Sequence, residues 1–168
     1  MNITMGGNPL TLIGNEVKVG EKAPMFKAIN KNLEEVSLEQ FLGKVVVLTS
    51  FPSIDTGICA MQAAKFNNEL AKYENEVSII TISNDLPFAL GRFCAANGIN
   101  NAITLSDHRD LEFANSYGML LKELRLLARA VFVIDKKGQI AYKEVAKEIK
   151  SELNYDAALE VVMKAINE

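Results

Sequence analysis

The run Val45-Val46-Val47-Leu48 narrows the fold more than any other feature of the chain. Three β-branched residues in succession favour an extended strand, and the lack of polar alternation means that both faces of that strand are covered. The same reading applies to Val77 to Ile82 and to Ala130 to Ile134. Doubly covered strands need layers on either side, and the intervening segments carry helical signals. Phe66 and Leu70 stand at helical spacing, Pro87 to Asn97 is closed by Gly98, and Arg109 to Tyr117 follows the capping candidates Ser106 and Asp107 and precedes Gly118. A last helix from about Tyr155 places Ala158, Leu159, Val162, Ala165 and Ile166 on one stripe. The expected fold class is therefore α/β, with a central sheet flanked by helices.

Two short-range patterns refine the sheet. Asp135-Lys136-Lys137-Gly138 reads as a tight turn joining the Ala130 strand to Gln139 to Val145, so at least one pair is antiparallel and the sheet is mixed. At the amino end, Ile3 and Met5, then Gly6-Gly7-Asn8, then Leu10 and Leu12 predict a small β-hairpin around a glycine turn. No linker, composition shift or internal repeat divides the chain, and residues 1–168 are expected to form one domain.

Composition removes several classes of function. Lys and Arg are scattered among acids and the net charge is -3, which argues against a nucleic-acid surface. No stretch approaches the roughly 20 apolar residues that cross a bilayer, so no membrane role is expected. Met1 to Asn8 lacks the basic start and apolar core of a secretory signal, and a cytoplasmic address is expected. The glycines lack the order of a phosphate-binding loop. The two cysteines, Cys59 and Cys94, are not needed as a staple in a domain of this size.

Phe51 to Cys59 lies between a buried strand and a helix, which places Cys59 near a helix amino terminus. There the unpaired backbone N–H groups favour a thiolate and an incoming oxygen. The Thr56 hydroxyl can accept from a backbone N–H or donate to an oxygen that approaches the sulfur, and Pro52 fixes the chain as it leaves the strand. Position alone leaves two readings open, a reactive thiol or a small buried hydrophobe above a capping threonine. Cys94 lies in the next helical segment, beyond one strand. If that strand neighbours the first, both sulfurs lie at one end of the sheet.

The pattern Pro52-x-x-x-Thr56-x-x-Cys59 resembles the active-site motif of the peroxiredoxins. The string from Phe51 to Cys59 is similar to that of their thiol peroxidase subfamily, the atypical two-cysteine peroxiredoxins. Asp85-Leu86-Pro87-Phe88-Ala89, Arg92-Phe93-Cys94 and Thr104-Leu105-Ser106 resemble the region of that subfamily's resolving cysteine, and Leu127-Ala128-Arg129-Ala130-Val131 resembles the segment of its active-site arginine. The resemblance extends to Asn154-Tyr155-Asp156-Ala157-Ala158-Leu159. It implies a thioredoxin-like fold and a peroxidase in which Cys59 attacks the peroxide, Cys94 resolves the product as an intramolecular disulfide, Thr56 and Arg129 position the peroxide, and Pro52 shields the pocket. It also implies hydrogen peroxide and organic hydroperoxides as substrates, thioredoxin as reductant, a homodimer, and no metal or organic cofactor. Arg92 and Arg125 are read as solvated surface charges.

Other readings carry less. Asp55-Thr56-Gly57 spells the tripeptide of aspartic proteases, but Pro52 interrupts the strand that would have to precede it. A metal site from Cys59, Cys94 and His108 lacks paired ligand spacing, and His108 is expected to be a loop or cap residue. A redox-sensing or chaperone-like protein could use the same cysteines without turnover.

Overall fold

The computed structural model describes residues Met1–Glu168. Along the chain lie β1 (Ile3–Met5), β2 (Asn8–Leu10), β3 (Leu12–Ile13), β4 (Lys27–Ile29), β5 (Glu35–Ser37), β6 (Val45–Ser50), α1 (Gly57–Leu70), β7 (Val77–Ser83) and α2 (Pro87–Asn97). They are followed by β8 (Ala102–Ser106), α3 (Glu112–Tyr117), β9 (Leu120–Leu121), β10 (Leu126–Leu127), β11 (Ala130–Ile134), β12 (Ile140–Val145) and α4 (Tyr155–Ile166). Seven strands form one sheet in the order β12-β11-β6-β7-β8-β4-β5. The β6, β7 and β8 strands are parallel and every other pair is antiparallel, so the sheet is mixed as expected.

All six residues of β6 are buried, and its pleat explains why the sequence does not alternate. Val45 and Val47 join Val77, Ile79, Val131 and Val133 against Phe66 and Leu70 of α1 and Ala158, Val162 and Ala165 of α4. Val46 and Leu48 point the other way, with Ile80, Ile82, Phe132 and Ile134, against Phe113, Ala114 and Tyr117 of α3. Each such side chain contributes about 1.5–3 kcal/mol on leaving water, and truncating Leu48 to Ala would cost about 2–5 kcal/mol because it leaves a cavity. A third, smaller cluster of Phe51, Ile54, Cys59, Ala63, Leu90 and Ile99 sits where β6 and β7 hand over to helices, with Phe93 and Cys94 packed against it. Because β6 and β7 are adjacent and parallel, the segments leading to Cys59 and Cys94 leave the sheet at the same end.

Several boundaries differ from expectation. The amino-terminal hairpin forms, with Ile3 opposite Leu10 and Gly6 and Gly7 both at positive φ (59° and 81°), but Asn8 is already in the second strand. Leu12 is not part of the hairpin; it pairs with Leu121 in a separate three-stranded sheet of β10, β9 and β3. The hairpin is tied down by Glu148, whose carboxylate accepts from the N–H groups of Gly6 and Gly7 and from the Thr4 hydroxyl. Those bonds, the Gly6 N–H foremost, hold the Glu148 carboxyl down at about 2. The third helix starts at Glu112 rather than Arg109, because Leu111 takes a left-handed turn (φ 53°) first. Asp107 reaches across that turn to accept from the N–H groups of Phe113 (3.1 Å) and Ala114 (2.9 Å), while Ser106 does not cap the helix. The β11–β12 turn is as expected, with Asp135 accepting from Lys137 and Gln139 N–H, although Gln139 itself precedes the strand.

Candidate active site

The site is built where β6 ends. Ser50 opposes Ala130 across the antiparallel β6–β11 pair, which places Arg129 beside the loop that follows β6. Pro52, without an N–H, is buried in that loop and starts the departure from the sheet. Thr56 is extended (φ -99°, ψ 143°) and caps α1: its Oγ1 accepts from the Cys59 N–H at 3.4 Å and donates to the Ser53 carbonyl at 3.2 Å. Cys59 thus lies in the first turn of the helix, fully buried, with the backbone N–H groups of that terminus nearby.

Arg129 is 2% exposed and spreads its guanidinium over three acceptors. Nε donates to the Ile149 carbonyl at 2.9 Å, Nη1 to Gln62 Oε1 at 3.0 Å, and Nη2 to Cys59 Sγ at 3.2 Å. None of the ion pairs in the protein involves Arg129. A buried cation without a counter-charge costs several kcal/mol. Of the three partners, only the Cys59 sulfur can take up a proton-dependent negative charge. The arrangement therefore suits a thiolate, and an oxygen bound at that sulfur would meet fixed N–H donors.

Cys94 is half-buried in the last turn of α2, with Sγ 3.9 Å from Thr104 Oγ1 on β8. Burial pushes its thiol above the ordinary cysteine value, while the Thr104 hydroxyl and the Lys31 charge act in the opposite direction. Both cysteines are free thiols; Cys59 belongs to the apolar cluster at the sheet end and Cys94 packs against it. Cys59, Arg129 and Thr56 are thus joined by hydrogen bonds, Pro52 lies buried in the loop that leads to them, and Cys94 packs against the same apolar cluster from α2. Arg92 and Arg125 are exposed. His108 contacts Ser106 Oγ through Nδ1 (2.8 Å), and no three His, Cys, Asp or Glu side chains are gathered as a metal centre requires. Asp55 is exposed and has no carboxylate partner of the protease kind.

Two polar residues of the site are not evident from the sequence reading. Gln62, fully buried one turn after Cys59, turns its amide so that Nε2 donates to the Ser50 carbonyl at 3.1 Å and Oε1 receives Arg129. Its only sequence signal is an amide on the inward side of a largely apolar helix face, one it shares with the buried Asn67. Asp85, between β7 and α2, accepts from the Ile54 N–H (2.8 Å), Ser53 Oγ (2.8 Å) and Ser83 Oγ (2.6 Å). Tyr155 stacks edge-on against Phe66, and its hydroxyl is buried without a partner.

Comparison with known proteins identifies the family of the chain. The Redoxin family profile matches residues 18–159. The chain is 53% identical to the thiol peroxidase of Listeria innocua, covering 97% of this chain and 98% of the relative. It is 50% identical to the thiol peroxidase of Bacillus subtilis, covering 94% of each. A crystal structure of a peroxiredoxin-like protein from Aquifex aeolicus superposes with a TM-score of 0.91 at 38% identity, covering 98% of this chain and 96% of the other.

Proposed function

The chain belongs to the Redoxin family and is a thiol-dependent peroxidase, and from that premise we propose that its cycle runs through Cys59 and Cys94. The Cys59 thiolate attacks the nearer peroxide oxygen; the O–O bond breaks, the second oxygen leaves as water or alcohol, and the sulfur becomes a sulfenic acid. Cys94 then attacks that sulfur, releasing water and closing an intramolecular disulfide. An external dithiol, thioredoxin in kind, supplies the two electrons that reopen it. The carrying observation is the buried Arg129 guanidinium with Cys59 Sγ as its only partner able to bear negative charge. Its fixed donors stabilise charge on the oxygens as the O–O bond stretches.

Within this reading Thr56 orients the peroxide, its hydroxyl proton turning from the Ser53 carbonyl to the substrate, and Pro52 keeps water from the sulfur. Substrates are hydrogen peroxide and organic hydroperoxides. Residues 1–168 act as one domain, as a homodimer in the cytoplasm; no helix is long and apolar enough to cross a membrane. The test is steady-state peroxide consumption with thioredoxin and its reductase. Turnover in the wild type and none above background in Cys59→Ser is expected. Equal turnover in both would overturn the assignment, and stoichiometric oxidation without turnover would favour a redox sensor.

A further inference from the structure

Asp85 carries more hydrogen bonds than its place in a surface turn requires. Its carboxylate accepts from Ser53 Oγ and the Ile54 N–H in the loop before Cys59, and from Ser83 Oγ at the end of β7. Its own carbonyl accepts from Ser106 Oγ at 2.5 Å, and its neighbour Asn84 donates to the Arg125 carbonyl at 2.8 Å. No Lys or Arg pairs with it. One residue further on, Leu86 is the N-cap of α2, the helix of Cys94. The loop of Cys59 and the helix of Cys94 are otherwise joined by the six-residue apolar cluster, the smallest of the three.

Closing a disulfide brings the two sulfurs to about 2.05 Å, whereas here they are free thiols, Cys94 Sγ against Thr104 and Cys59 Sγ against Arg129, so the sulfurs must move together in a departure from the arrangement described above. Charge-assisted bonds are about twice as strong as neutral ones, so the Asp85 anchor restrains that departure on the side of the loop, as the Arg129 bonds to Cys59 and Gln62 do on the side of the helix. We propose that Asp85 is a positioning residue that holds Cys59 in its peroxide-reactive arrangement against Arg129, and so divides the Cys59 sulfenic acid between two fates. Rearrangement leads to the disulfide: Cys59–SOH and Cys94–SH give Cys59–S–S–Cys94 and water. Retention exposes the sulfenic acid to a second peroxide, giving Cys59–SO₂H and water or alcohol. This inference rests on the two-cysteine cycle proposed above.

Asp85→Asn removes one acceptor and the charge, and Ser53→Ala removes one donor to Asp85, together with the acceptor of the exposed Asp55 N–H, while leaving Asp85 in place. Rapid quenching with thiol alkylation and intact mass gives the rates of Cys59 oxidation and of disulfide closure; titration with peroxide during turnover gives the concentration that produces the sulfinic acid. In Asp85→Asn the first step should slow about tenfold, closure should be as fast as in wild type or faster, and sulfinic acid should need about tenfold more peroxide. Ser53→Ala should shift the same way by less. An unchanged sulfinic threshold, or both steps slowed in equal proportion with a lowered Tm, would overturn the proposal. Wild-type protein that forms no Cys59–Cys94 disulfide would instead overturn the cycle on which it rests.

Discussion

Arg129 is held in a plane by three acceptors that point in different directions, the Ile149 carbonyl, Gln62 and the Cys59 sulfur. A lysine keeps the charge but cannot serve all three, since its ammonium is a single point on a flexible stem. Arg129→Lys should lower the second-order rate of Cys59 oxidation by about 10²–10³, the loss typical of one transition-state donor. Stopped-flow peroxide consumption measures it, and a loss of less than a factor of about three would mean that charge alone suffices. Cys94 makes a complementary prediction. Its thiol is raised above the ordinary value by burial, so at neutral pH it is protonated and little thiolate is present in this arrangement. The rate of disulfide closure after a single oxidation should therefore rise as pH increases from 7 toward 9, whereas a flat profile would mean that rearrangement of the two segments, and not the supply of thiolate, limits closure.

Among the elements, α3 shows how a local signal can be right in chemistry and wrong in position. Asp107 does cap the helix, but from a distance that lets Leu111 turn left-handed and delays the first turn to Glu112. Burial raises the Asp107 carboxyl to about 6, with the Ala114 and Phe113 N–H groups pulling it back. Since the folded value lies above the unfolded one near 3.8, this group favours the fold most below pH 4, and that contribution is lost as pH rises through 6. In urea unfolding, wild type should lose stability relative to Asp107→Asn between pH 4 and 6; parallel pH profiles would contradict this. The other elements were legible to differing degrees. The β6, β7 and β11 runs declare themselves because both faces meet apolar layers. The short β3 does not, since a pair of apolar residues after Leu10 carries no sign of whether it extends the hairpin strand or pairs with the distant Leu121.

Across the whole molecule, the site is a junction of segments far apart in sequence, and that sets what could be read. Cys59 and Thr56 were legible because their relation is local, a cap and a first helical turn. Arg129 and Cys94 emerged from the family-like motifs, and the sheet order supplies the physical reason: β11 and β7 both flank β6. Gln62 and Asp85 stayed hidden because polar residues reveal themselves by their partners. Those partners are the carbonyls of Ser50 and Ala130, the Arg129 guanidinium, and the donors Ser53 and Ile54. The two large clusters that cover the faces of the sheet fix this junction, while the small cluster at its end is where opening costs least. The central claim is that Cys59 takes the oxygen and Cys94 removes it. The most direct measurement is the intact mass of Cys94→Ser after one equivalent of peroxide, with peptide mapping. One added oxygen on Cys59, absent from the wild type, which should instead lose two thiols, is the predicted result. A Cys59 that remains an unmodified thiol while peroxide persists would contradict it.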